Sequence, residues 1–292
     1  MSNWLAPGGV TANPSRIGIF DSGVGGLTVL RELYRQLPNE SILYFGDTAR
    51  LPYGSRSPEE ILQFVREILT WMASQGVKMV MMACNTSSAL ALEQVQAEYP
   101  FPILGLIWPG ARAAAQQGQR IGLIATSATV KSDAYRQAIL EVHPDRQVWQ
   151  VGCPEFVTLI EQNRIHDPYT YQVAKQYLAP LKAAQIDTLI YGCTHYPHLA
   201  PVLQTLLPSR VSFVDPAVHM VAAAAQELDA LGLRSNVPAW PTEFYVSGAP
   251  SQFAQVAVQW LGHLPTVRQV RLPAATSLPT VNLSSGQSDT SS

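Results

Sequence analysis

Two short segments hold residues whose types and positions suit proton transfer. Cys84-Asn85-Thr86-Ser87-Ser88 ends one apolar run and opens a helical pattern, and Cys193-Thr194-His195-Tyr196-Pro197 ends another. A thiol with an ordinary pKa of ~8.5 is mostly protonated at neutral pH, and a helix N-terminus or a nearby imidazole favours its thiolate. Each cysteine is therefore placed to serve as an acid or a base. A lone cysteine is as often a small buried hydrophobe, so it is the repeated context that weighs toward chemistry. His195, two residues beyond Cys193, is near enough to shuttle a proton or to tune that thiol.

Asp21-Ser22-Gly23-Val24-Gly25-Gly26 follows the first apolar run and leads into a helix. Its glycine spacing falls short of the G-x-G-x-x-G dinucleotide fingerprint. A carboxylate here would also repel a phosphate, so Asp21 suits a substrate ammonium better. Its plainer role is helix capping, which Ser22 could equally perform. In Asp47-Thr48-Ala49-Arg50-Leu51-Pro52-Tyr53-Gly54-Ser55, Pro52 and Gly54 fix a turn that can aim N–H groups at a carboxylate. By itself that loop reads as an ordinary turn. Glu161 is by pattern a helix residue, and Cys153, before Pro154, reads as structural.

These residues need a scaffold of strand ends. Short apolar runs, among them Ile17–Phe20, Ile42–Phe45, Lys78–Ala83, Ile121–Ala125, Thr188–Tyr191 and Val211–Val214, alternate with amphipathic segments. The expected helices include Leu27–Gln36, Ser87–Glu98, Gly110–Gln117, Lys131–Val142 and His198–Leu207. Such alternation predicts βαβ units and parallel sheets covered on both faces, whose strands are apolar throughout. Open sheets of this kind bind ligands at the carboxyl ends of their strands. The chain also echoes itself. Arg16-Ile17-Gly18-Ile19-Phe20-Asp21-Ser22 resembles Arg120-Ile121-Gly122-Leu123-Ile124-Ala125-Thr126, and Met82-Ala83-Cys84-Asn85-Thr86 resembles Tyr191-Gly192-Cys193-Thr194-His195. The offsets, 104 residues from Arg16 to Arg120 and 109 from Cys84 to Cys193, agree closely enough to predict a duplication, with one cysteine in each half.

The 292 residues allow two domains or one large one. Apolar residues form 47% of the chain and charged residues only 14%. A net charge of −2 argues against a basic nucleic-acid face. Three dispersed cysteines make neither a disulfide framework nor a short zinc or redox motif. Met1–Ser15 lacks the basic and apolar parts of a secretory signal, and no apolar run is long enough to span a bilayer. The expectation is a soluble cytoplasmic protein without a membrane partner, with flexible termini at 1–15 and 274–292. Six scattered histidines offer no metal-ligand pair apart from His195 and His198, so no metal is expected. The four lysines are Lys78, Lys131, Lys175 and Lys182. Only Lys131, at a helix start, could anchor a pyridoxal Schiff base, so a cofactor-free route is favoured.

Taken together, Gly18-Ile19-Phe20-Asp21-Ser22-Gly23-Val24-Gly25-Gly26-Leu27-Thr28-Val29, Gly46-Asp47-Thr48-Ala49 leading to Pro52-Tyr53-Gly54, Ala83-Cys84-Asn85-Thr86-Ser87 and Gly192-Cys193-Thr194-His195-Tyr196-Pro197 resemble the glutamate racemases of the cofactor-independent aspartate/glutamate racemase superfamily. The resemblance spans residues 16 to 272. It implies an α/β fold of two similar doubly wound, mainly parallel-sheet domains facing across a central active-site cleft. The first domain would be residues 16–108 plus 210–272, and the second 109–209. It implies Cys84 and Cys193 as the two catalytic thiols, Cys84 acting on D-glutamate and Cys193 on L-glutamate, with Asp21, His195 and Glu161 assisting. It implies substrate contacts at Asp21, Ser22, Tyr53, Gly54, Asn85, Thr86, Thr194 and His195. It further implies a cytoplasmic isomerase, needing no cofactor, that supplies D-glutamate for peptidoglycan synthesis. Only the resemblance points to a homodimer. Trp108-Pro109-Gly110 departs from the pattern, since many members carry an acidic residue before Pro-Gly. An aspartate- or hydantoin-type racemase of the same superfamily is the alternative. A two-lobed binding protein would need no paired thiols.

Overall fold

The computed structural model describes residues 15–273, so the expected flexible termini lie outside the described residues apart from Ser15. The chain runs β1 (Ile17–Asp21), α1 (Leu27–Gln36), β2 (Ile42–Gly46), α2 (Pro58–Ser74), β3 (Met79–Met82), α3 (Asn85–Val95), β4 (Ile103–Gly105) and α4 (Ile107–Gln117). It continues through β5 (Arg120–Ala125), α5 (Ser127–Ser132), α6 (Ala134–Val142), β6 (Gln147–Gly152), α7 (Pro154–Glu161), α8 (Pro168–Ala183), β7 (Thr188–Gly192), α9 (Ala200–Leu206), β8 (Ser212–Val214) and α10 (Pro216–Ala230). It closes with β9 (Glu243–Val246), α11 (Pro250–Leu261) and β10 (Val267–Gln269).

The strands form two sheets, ordered β10-β9-β2-β1-β3-β4 and β6-β5-β7-β8, with every pairing parallel. The run β2-β1-β3-β4 of the first sheet thus repeats the order of the second. Register repeats as well: Ile17 pairs with Met79 in the first sheet and Ile121 with Thr188 in the second. These pairs differ by the 104- and 109-residue offsets of the sequence echo. Ser212–Val214 pairs with β7, so the second sheet runs past the expected boundary at 209. The reason is topological: the fourth strand of each repeat completes its own sheet before the chain returns.

Helix starts follow their capping residues. Ser57 and Glu60 form a capping box with Pro58 between them, and Asp167 and Asp215 cap α8 and α10, each followed by proline. The segment expected as one helix from Lys131 to Val142 is two. Thr126 caps α5 early, and Asp133 breaks the run in the left-handed region at φ 57°, a conformation Asp tolerates better than most residues. The segment expected as a helix from His198 begins instead as a 3₁₀ turn, Tyr196–Leu199, before α9. Helices α4 and α10 carry the chain out of the first unit and back. They pack side by side, so closely that a Cβ on Gly110 would lie 2.8 Å from Pro216 Cβ. One apolar cluster, including Leu30 of α1, Met220 of α10 and Leu203 of α9, runs through both units. No helix among the described residues is long and apolar enough to cross a membrane.

Candidate active site

The carboxyl ends of β1 and β3 face those of β5 and β7 across a cavity of about 710 Å³. Its wall takes Asp21, Ser22, Tyr53, Gly54, Cys84, Asn85 and Thr86 from the first unit and Cys193, Thr194 and His195 from the second. Both thiols therefore open into one space, and both are reduced and buried. Among the sequence-expected residues only Glu161 stands outside this wall. It lines a smaller cavity of about 100 Å³ behind Gly23 and reaches the site through His195.

Cys84 is the N-cap of α3, and its carbonyl accepts hydrogen bonds from Ser87 Oγ (3.1 Å) and Ser88 Oγ (2.8 Å). Burial, then the charge of Asp21, pushes its thiol up to about 12. The group is thus a protonated donor at rest. Asp21 Oδ2 accepts from the backbone N–H groups of Gly26 (2.7 Å) and Gly23 (3.3 Å), while Oδ1 is buried without a partner. One oxygen therefore caps α1, and the other remains for a ligand. Burial raises this carboxyl above its ordinary value, against the pull of His195 and those N–H groups.

Cys193 has a different companion. His195 Nδ1 lies 3.7 Å from its sulfur, and His195 Nε2 donates to Glu161 Oε1 at 3.0 Å. Burial alone would push the imidazole down. The bonds to Cys193 and Glu161, with the charges of Cys193 and Asp21, overcome it and hold His195 at about 10. His198 turns away from the cavity onto the Trp260 ring, 3.5 Å between centroids. Burial and the charges of His195 and Arg31 push it down to about 3. Gly25 brings the Asp21 loop hard against this half: a Cβ there would lie 2.4 Å from His195 Nδ1 and 2.5 Å from Thr194 Oγ1. Thr28 Oγ1 donates to Gly25 O (2.9 Å) and lies 3.3 Å from Thr194 O.

Donors cluster on the remaining wall. Asn85 Oδ1 accepts from Tyr135 Oη (2.6 Å), and its Nδ2 has no partner among the described residues. Thr86 Oγ1 meets Thr126 Oγ1 at 3.0 Å and Thr129 Oγ1 at 3.3 Å. Tyr53 Oη donates to Asp47 Oδ2, which also accepts from Arg50 Nε (2.7 Å), while Asp47 Oδ1 accepts from Ser247 Oγ (2.7 Å). Asp47 is fully buried and so anchors the loop that carries Tyr53 and Gly54. Asp47→Ala is expected to cost about 2–3 kcal/mol, below the usual cost of a broken buried pair because Arg50 keeps Glu67. Thermal unfolding should show a midpoint lower by about 5–10 °C; an unchanged midpoint would mean that the network does not anchor the loop.

The sequence left several wall residues unmarked. Thr126, Ser127 and Ser132 line the cavity; so does Lys131, the lysine already singled out, which sits in the last turn of α5 rather than at a helix start. The echo held a signal for Thr126, since it stands where Ser22 stands in the first repeat. Tyr135 carried no signal beyond an apolar helix position. Trp108 sits exposed in the first turn of α4, off the cavity wall. No group of three or more metal-binding side chains suited to an ion occurs among the described residues.

Three comparisons bear on this arrangement. The family model for Asp/Glu/Hydantoin racemase matches residues 17–228. A glutamate racemase from Synechocystis is 67% identical over 264 residues, covering 90% of this chain and 95% of the relative. Among solved structures, a glutamate racemase isoform from Bacillus anthracis superposes with a TM-score of 0.86 at 38% identity, covering 89% of this chain and 98% of the other. The glutamate racemase of Francisella tularensis in complex with D-glutamate gives 0.83 at 33% identity, covering 90% and 99%.

Proposed function

The chain belongs to the Asp/Glu/Hydantoin racemase family, on its glutamate racemase branch, and from that premise we propose that it interconverts L- and D-glutamate through its two cysteines. The observation that carries this reading is the pair of thiols at equivalent strand ends, opening into one cavity. Inverting a carbon centre requires removing a proton from one face and adding one to the other, so two facing acid–base groups suffice. In the L to D direction the Cys193 thiolate takes the α-proton. The C–H electron pair passes onto Cα and into the carboxylate, and the Cys84 thiol gives its proton to the opposite face. The reverse reaction exchanges the roles.

The surrounding groups fit these steps. Asp21 Oδ1 receives the α-ammonium. Asn85 Nδ2, Thr86 and the N–H groups at the start of α3 receive the α-carboxylate, where negative charge builds in the transition state. His195, held protonated between Cys193 and Glu161, steadies the thiolate. No pyridoxal or metal enters this route. By the same kinship the reading extends to a cytoplasmic homodimer whose D-glutamate feeds peptidoglycan synthesis.

Dialysed protein in D₂O with L-glutamate, and with neither pyridoxal phosphate nor metal added, should lose optical rotation while deuterium enters the α-position. Racemisation of aspartate with glutamate untouched would replace this reading with the aspartate-type alternative.

A further inference from the structure

Asn85 belongs to α3 of the first unit, and its amide lines the cavity. An amide has a donor end and an acceptor end, and only the donor end can bind a carboxylate. Among the described residues nothing in the first unit hydrogen-bonds this side chain. Its single partner among them is the Tyr135 hydroxyl of α6, across the cleft, which donates to Oδ1 at 2.6 Å. That bond leaves Nδ2 buried and without a partner among the described residues. Tyr135 is itself fully buried against Ile107, Ala111 and Ile139, and its hydroxyl makes no other hydrogen bond among the described residues. The ring's packing and the hydroxyl's bond are therefore separable, since phenylalanine would fill the same space.

We propose that Tyr135 is a positioning residue for the substrate: its hydroxyl locks the Asn85 amide with the nitrogen facing the cavity, so that a donor carried by one unit is oriented by the other. The inference rests on reading this cavity as the glutamate site. Without the hydroxyl the amide can turn its oxygen toward the carboxylate, which repels it.

A double-mutant cycle tests this. Tyr135→Phe should lower kcat/KM for glutamate by about five- to twentyfold, as expected for one lost hydrogen bond, with most of the change in KM. Asn85→Ala should lower it by about a hundredfold. The double variant should match Asn85→Ala within about twofold, because Tyr135 acts only through the amide. Multiplying effects would assign Tyr135 to packing and overturn the proposal, as would an unchanged kcat/KM in Tyr135→Phe. If Tyr135→Phe fails to fold, Asn85→Asp decides. Tyr135 would then hold one carboxylate oxygen and aim the other into the cavity, so glutamate should bind more weakly than to Asn85→Ala; wild-type binding would overturn the proposal. The same comparisons read by calorimetry with D-glutamate do not depend on turnover, so a wild-type chain that binds but does not racemise glutamate would sink the reaction assignment alone.

Discussion

Serine in place of either Cys84 or Cys193 is expected to cut glutamate racemisation by about 10²–10⁴-fold in both directions, the range that one positioned acid or base contributes. A hydroxyl at either point keeps the shape and loses the acidity. Cys84 must give up its proton from a site where burial and Asp21 already hold that proton at about 12, and a serine hydroxyl holds its proton harder still. At the other thiol, His195 Nδ1 stands 3.7 Å from sulfur and would meet a neutral oxygen instead. Both side chains are nearly isosteric with serine, so the unfolding midpoint should stay within a few degrees of wild type. The measurement is circular dichroism of the glutamate pool from each enantiomer. A variant keeping a fifth or more of wild-type kcat/KM would sink the two-thiol mechanism.

The second large effect comes from a residue with no side chain. Gly25→Ala places a methyl 2.4 Å from His195 Nδ1 and 2.5 Å from Thr194 Oγ1. Neither neighbour can step aside cheaply. The imidazole is pinned by Glu161 at 3.0 Å and packed edge-on to Trp260 at 6.1 Å. The Asp21 loop or the Cys193 half must therefore shift by about 1 Å, a displacement that can cost about 10²-fold in rate. Gly76→Ala supplies the contrast. Gly76 sits at φ 69° with nothing within 4 Å of an added Cβ, so that change should cost about 1 kcal/mol of stability and leave kcat alone. Equal kcat values for the two variants would remove the close approach at Gly25 from the account.

The parts of this molecule that were legible in its sequence are those encoded locally. Buried parallel strands are apolar on both faces, so Ile17–Asp21 or Thr188–Gly192 announce themselves without knowledge of their partners. Cysteines at the ends of such runs point to a strand-end site. The resemblance supplied the roles. Legibility fails where a side chain's meaning lies across the fold. Glu161 looks like any helix residue until His195, 34 positions away, is found against it. Tyr135 looks like core until Asn85 is found against its hydroxyl. The break at Asp133 lies beside a partner distant in sequence, Gln150, whose Nε2 donates to its carboxylate at 2.5 Å. The echo also shows where the copies diverged. Asp21 pairs with Gly46 and Ala125 with Gly152, so the strand-end acid of the first repeat is an alanine in the second. Cys193 draws its acid–base company from His195 and Glu161 instead.

The adjacent crossings α4 and α10 are placed as the two fixings of a door would be. Two spans in contact along one seam define a line, and a turn about that line would be the rigid-body motion that stretches neither span. Each thiol belongs to its own leaf, so a turn at the contact of Gly110 with Pro216 would change the spacing between the sulfurs. Cutting the backbone in one crossing would leave the leaves joined by the other, but with a single fixing they would be free to twist as well as swing.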